Sequence, residues 1–220
     1  MERSVDSRLE ALKTHLLSMG GAVEKSLDIV IDGLTHRKTQ GLQEVHKLEE
    51  VINEMHVKVD NLCLEFLAIQ GPVAKDLRLI ISLIKINADL ERMGDQCVNI
   101  AHTGRDYLSR NPIPIPPEIA EMGQIVKKMV KSSLDSFVRE DVEMSKKILL
   151  MDDEVDIRKQ KVFQDVSELI KKSPQNVEAS LDMILIARNL ERLGDHATNI
   201  AEGVIFYSTG KDVRHGGKYS

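Results

Sequence analysis

The chain is 220 residues long, has a formal charge of −5 and is only 3% aromatic. An acidic, aromatic-poor chain is not built to hold nucleic acid, which selects basic faces and stacking rings, and its charge favours cationic ligands instead. The length admits one large domain or two small ones, each able to bury a core.

In chain order, Met1 to Glu10 (MERSVDSRLE) lacks the apolar stretch of a secretory leader. Charge interrupts every later hydrophobic run well short of the ~18 residues a membrane span needs. A soluble, cytoplasmic protein without a transmembrane segment is expected. Turn residues at 36–41 (HRKTQG) and 70–74 (QGPVA) punctuate the first half into three helices. Helical spacing is clear in the third, where Leu77, Ile80, Ile81, Ile84 and Ala88 recur. Ser109 to Glu118 holds four of the six prolines and stops any continuous helix, because each removes a donor and crowds the preceding turn. Breaks at 139–143 and 171–176 divide the second half in the same way, and Leu181, Ile184, Leu185 and Ala187 repeat the apolar spacing. The fold class is all-α: a bundle over residues 1–110, a Pro-rich linker over 111–117, a second bundle over 118–210 and a tail over 211–220. Each bundle holds three antiparallel helices. Cys63 and Cys97 lack CxxC spacing and fall inside helical patterns, as buried thiols do.

The two halves are copies of one unit. LERMGDQCVNIA at Leu90 to Ala101 returns one hundred residues later as LERLGDHATNIA at Leu190 to Ala201. Upstream, Asn53 aligns with Asp156 and Val59 with Val162, the change of offset being absorbed by a turn. In each motif copy a Glu and an Asp stand four residues apart, about 40° around the helix, so they project from one face. Like charges at that spacing cost a lone helix about 0.2–0.5 kcal/mol, which indifferent surface positions have no reason to bear twice.

Folding the sequence at its own turns brings further acids level with these. A turn centred near Pro72 sets Glu49 opposite Asp95 and Asn53 opposite Glu91. One between Ser173 and Pro174 sets Asp152 opposite Asp195 and Asp156 opposite Glu191. A turn within KTQG sets Asp32 opposite Glu49 and Asp28 opposite Asn53. The expected first site is therefore Asp28, Asp32, Glu49, Asn53, Glu91 and Asp95. The second is Asp135, Asp152, Asp156, Glu191 and Asp195, with Arg139 where a sixth oxygen ligand is wanted. Clustered carboxylates repel until a cation or proton neutralises them. Oxygen-rich sites of this kind suit Mg, Mn, Fe or Ca, and bridging carboxylates can hold more than one ion. Two plainer accounts compete: a solvated charged face, and surface ion pairs with Arg92 and Arg192, which are weak. His102 and His196 each occur in one copy only and read as neighbours of the layer, and Asn99 and Asn199 as helix-packing hydrogen-bonders.

Catalytic constellations are missing from the sequence. It has no GxxxxGK(S/T) loop, no GxGxxG after a strand and no nucleophile elbow. None of the seven histidines follows a Glu by three residues, as a di-iron bundle requires. A non-enzymatic binding protein is expected, with a helical scaffold or chaperone-like adaptor as the alternative.

The duplicated motif, QGPVAKDLR at Gln70 to Arg78 and the GKDVRH stretch at Gly210 to His215 together resemble the PhoU family over nearly the whole chain. The resemblance implies a tandem pair of three-helix bundles and polynuclear metal clusters on E(D)xxxD motifs, here Glu91 with Asp95, Glu191 with Asp195 and Asp152 with Asp156. Glu49 departs from the pattern, being followed by Asn53 rather than an acid. The implied metals are Fe, Mn or Mg. The implied role is negative regulation of phosphate uptake and of the phosphate-starvation response. The implied partners are the ATPase subunit of the phosphate ABC transporter, the sensor histidine kinase and a second copy in a homodimer, with peripheral association at the inner membrane.

Overall fold

The breaks at Gly71 and ahead of Pro117 coincide with residues that do not continue a helix. The computed structural model describes residues 2–110 and 113–214. In it α1 spans Glu2–Thr35, α2 Leu42–Gln70, α3 Ala74–Ser109, α4 Pro117–Arg139, α5 Val142–Lys172 and α6 Val177–Thr209, with a 3-10 turn over Pro174–Asn176. Gly71 closes α2 in the left-handed region at φ 54°, where a Cβ would be strained. Pro117 opens α4 at the first helical position, where its missing N–H costs nothing. Asp141 caps α5, its carboxylate accepting from the Met144 N–H at 2.9 Å. The described residues contain no strand, so the all-α class expected from periodicity is what the chain adopts. Residues 111–112 of the linker and 215–220 of the tail lie outside the described residues.

Within the first half α1, α2 and α3 pack on one another, and within the second α4, α5 and α6 do the same. The halves are not beads on a string. The most extensive helix contact in the molecule is between α3 and α6, and α1 also packs on α4. One hydrophobic cluster runs from Leu12 in α1 to Tyr207 in α6. Both seams are antiparallel: Gly20 lies against Leu134 and Gly123 against Ile31 across α1 and α4, while Ser82 donates to the Gly203 carbonyl across α3 and α6 at 3.3 Å.

The shared core corrects the apolar face read from α3. Leu77 and Ile81 are exposed, and the buried stripe is Leu79, Ile80, Leu83, Ile86 and Leu90. A helix gripped by α2 on one side and α6 on the other buries a wider and rotated arc than a single-faced amphipathic helix does. The linker is anchored too: the buried Tyr107 hydroxyl donates to the Ile113 carbonyl, and Arg110 reaches Asp182 of α6 at 2.6 Å.

Candidate functional site

The glycine inside each copy of the repeated motif faces the neighbouring helix, closely at Gly94 and at ordinary contact distance at Gly194. A Cβ on Gly194 would stand 3.5 Å from the Asp152 carboxylate, and one on Gly94 would stand 3.1 Å from Ile52. Asp152 of α5 therefore lies over the bare backbone of α6, between Glu191 and Asp195. Burial is the first reason its carboxyl is pushed up to about 6, followed by the charges of Asp195, Asp156, Asp153 and Glu191. Burial and Glu191 likewise push Asp195 up. Asp152, Asp156, Glu191 and Asp195 thus share one electrostatic neighbourhood at the α5–α6 contact.

A lysine supplies the counter-charge there. Lys159 Nζ stands 2.8 Å from Asp156 Oδ1 and 2.7 Å from Glu191 Oε1. Burial works against its charge, but the hydrogen bonds to Asp156 and Glu191 prevail and its pKa is raised. Repeat alignment sets His56 in the corresponding place of the first half, where it lies 3.4 Å from Asp60 rather than near Glu91. In that half Asn53 donates to Glu49, while Glu91 is half-buried and Asp95 exposed.

The other expected ligands go elsewhere. Asp28 pairs with Lys127 of α4, and Asp32 pairs with His36 at 2.8 Å and Lys38 at 3.8 Å. Asp135 faces Glu24 across the α1–α4 seam, where burial, Asp135 and Asp28 raise the Glu24 carboxyl against the pull of Lys131 and Lys127. The expected level of Asp28 and Asp32 fails because the α1–α2 turn is centred ahead of KTQG. Lys25 pairs with Glu44 at 2.6 Å and Arg8 with Glu65 at 3.1 Å, so Asp32 sits beside the turn, well short of the height of Glu49. Arg139 is exposed at the end of α4. Among the described residues, no three Asp, Glu, His or Cys side chains are close enough to enclose one cation. The donor chemistry of the α5–α6 acids suits a hard metal ion, but Lys159 would have to release Asp156 and Glu191 to admit one.

One polar cluster escaped sequence reasoning. Asp89 of α3, nearly buried, receives His196 Nδ1 at 2.9 Å and Asn199 Nδ2 at 3.2 Å from α6. Its signal was a pair of matched departures from the repeat: Asp89 aligns with Asn189 and His196 with Gln96. Both cysteines are buried, and burial pushes each thiol up to about 12, as inert packing groups require.

Two copies of one three-helix unit, joined along α1–α4 and α3–α6, define a tandem helical-bundle protein. The PhoU domain model matches residues 16–103 and again 119–204, one copy in each half. The chain is 34% identical over 218 residues to the phosphate-specific transport system accessory protein PhoU homolog of Pseudomonas putida, covering 99% of this chain and 85% of that protein. It is 35% identical to the homolog of Pseudomonas aeruginosa over 98% of this chain and 89% of that one. The crystal structure of PhoU from Pseudomonas aeruginosa superposes with a TM-score of 0.90 at 34% identity, covering 93% of this chain and 99% of that one. The phosphate transport system regulatory protein PhoU from Streptococcus pneumoniae, at 23% identity and a TM-score of 0.88 over 95% of this chain and 99% of that one, shares the fold. The chain belongs to the PhoU family, whose proteins are accessory and regulatory rather than enzymatic. No helix among the described residues is long and apolar enough to cross a membrane.

Proposed function

We propose that this protein holds phosphate uptake and the phosphate-starvation response in check by contacting the ATPase subunit of the phosphate transporter and its sensor kinase from the cytoplasmic side, as a homodimer. The observation that carries the reading is the match of both halves to the PhoU domain, together with relatives named as accessory proteins of phosphate-specific transport. A surface for protein contact supports it: a groove of about 440 Å³ between α5 and α6, lined by Val162, Phe163, Ile184 and Ala187, leaves Phe163 exposed. Cation binding belongs to the same reading. The α5–α6 carboxylates would take Mn, Fe or Mg in exchange for Lys159, more tightly than Glu49, Asn53, Glu91 and Asp95 in the first half, which offer one charge fewer. Deleting the gene should leave a phosphate-starvation reporter switched on in phosphate-rich medium, and the wild-type gene should restore repression. Normal repression in the deletion strain would overturn the reading.

A further inference from the structure

The α3–α6 seam contains a cavity that the acid clusters do not explain. Asp89 meets His196, and Ser82 meets Gly203, so the antiparallel pair is in register with Arg92 level with Arg192. These arginines hold the same position in the two motif copies, so the local twofold relating the halves passes between them. At that height a cavity of about 490 Å³ is lined by Arg92, Gln96, Arg192, Asp195, His196 and Asn199, among others.

Arg92 and Arg192 are both exposed and the Asp195 carboxylate borders the same cavity, so an anion entering it meets two guanidinium groups against one fixed carboxylate. Arg192 has no ion-pair partner among the described residues, and Arg92 has Asp89 alone, at 3.6 Å, which is already bound by His196 and Asn199. The second observation is Gln96. It is 8% exposed, and its carbonyl oxygen is buried without a hydrogen-bond partner, a costly state for a polar group. Gln96 borders the cavity, and a half-turn of its amide about the last torsion exchanges the oxygen and the NH2. The cavity therefore offers planar donors for anionic oxygens and, in Gln96 and Asp195, acceptors for one proton. His196, fixed through Nδ1 by Asp89, closes the wall.

We propose that this cavity binds a phosphate-type oxyanion, with Arg92 and Arg192 on its charged oxygens and the Gln96 carbonyl accepting from a P–OH. Sulfate carries no such proton at neutral pH and leaves Gln96 and Asp195 facing bare oxygens. The choice of phosphate among protonated oxyanions rests on the regulatory reading above and deepens it, because it names the ligand to which the protein responds. Two sources share the chemistry: free inorganic phosphate and the terminal phosphoryl group of a nucleotide.

Calorimetric titration of the full-length protein in chelated buffer, with inorganic phosphate, sulfate and ATP in turn, tests the site. Saturable binding of phosphate or ATP is expected, with sulfate at least about tenfold weaker. Phosphate binding without ATP binding identifies the free ion as the source, and the reverse identifies the nucleotide. Arg192→Gln, which breaks no ion pair among the described residues, should weaken binding about tenfold, the value of one charge-assisted pair, and Gln96→Leu should erase the preference over sulfate. Circular dichroism confirms that each variant is folded, and Arg192→Gln alone carries the test if Gln96→Leu is not. Binding of neither ligand, or binding unchanged in Arg192→Gln, overturns the proposal. A reporter that is still derepressed in the deletion strain would then leave the regulatory reading intact, whereas phosphate binding with normal repression in that strain would overturn the reading alone.

Discussion

Lys159 Nζ lies 2.7 Å from Glu191 Oε1, joining α5 to α6 through an ammonium shared with Asp156. The pair converts a layer of repelling acids into a helix contact that holds without an added ion. First-half carboxylates lack this arrangement, since His56 stands where the lysine would be and turns to Asp60.

Lys159→Met keeps most of the side-chain volume and removes the charge. In chelated buffer it should lower stability by about 1–2 kcal/mol, a figure reduced by the partial exposure of the pair. Urea unfolding with and without added Mn checks this: the cost should shrink with the metal, which can then reach Asp156 and Glu191 unopposed.

Asp152 gives the acid layer a pH signature. Burial, with the neighbouring carboxylates, pushes its carboxyl up to about 6, against an unfolded value near 3.9. Between those values the native state binds a proton that the unfolded chain does not, so this contribution is full below about pH 4 and is lost as the pH rises through 6. Asp195, also raised, acts in the same direction. In chelator, Asp152→Asn should be about 1 kcal/mol more stable than wild type at pH 7.5, after discounting for solvent screening, and equal to it near pH 4. A pH-independent difference between the two would contradict the assignment.

The α1–α4 seam depends on Gly123. A Cβ there would stand 2.3 Å from Ile31 Cδ1 and 2.9 Å from Cγ1, so the helices must part or Ile31 must leave its rotamer. Gly123→Ala should destabilise by about 1–3 kcal/mol despite the helix propensity of Ala, and Ile31→Val in the same chain should recover part of the loss. Chemical denaturation of the single and double variants measures both effects.

The helices and their ends were legible because Pro, Gly and capping residues act locally: Gly71, Pro117 and Asp141 each stop or start a helix by their own geometry. The levels of α2 with α3 and of α5 with α6 were legible too, since a tight turn fixes the height of antiparallel residues. Asp28 and Asp32 stand off the level that a turn within KTQG predicts because the α1–α2 connection spans several residues, and the pairs Lys25–Glu44 and Arg8–Glu65, not the loop's midpoint, reveal the register. Asp89 with His196 and the arginine-lined cavity lie on a seam between the halves. Periodicity within one helix carries no information about which face a distant helix will cover, so only the paired departures from the repeat pointed there.

Melting temperatures of the wild type and of Asp95→Asn/Asp195→Asn, each with chelator and with added Mn or Fe, test most directly whether the duplicated acids hold cations. Both substitutions remove charge with little change of volume, so helicity should be kept. In chelator the variant should melt at or above the wild-type temperature, because repulsion is relieved. Added metal should raise the wild-type melting temperature and leave the variant nearly unchanged. Metal that fails to stabilise the wild type, or that stabilises both proteins equally, would contradict the account and leave the acids as a charged face neutralised by Lys159 and its neighbours.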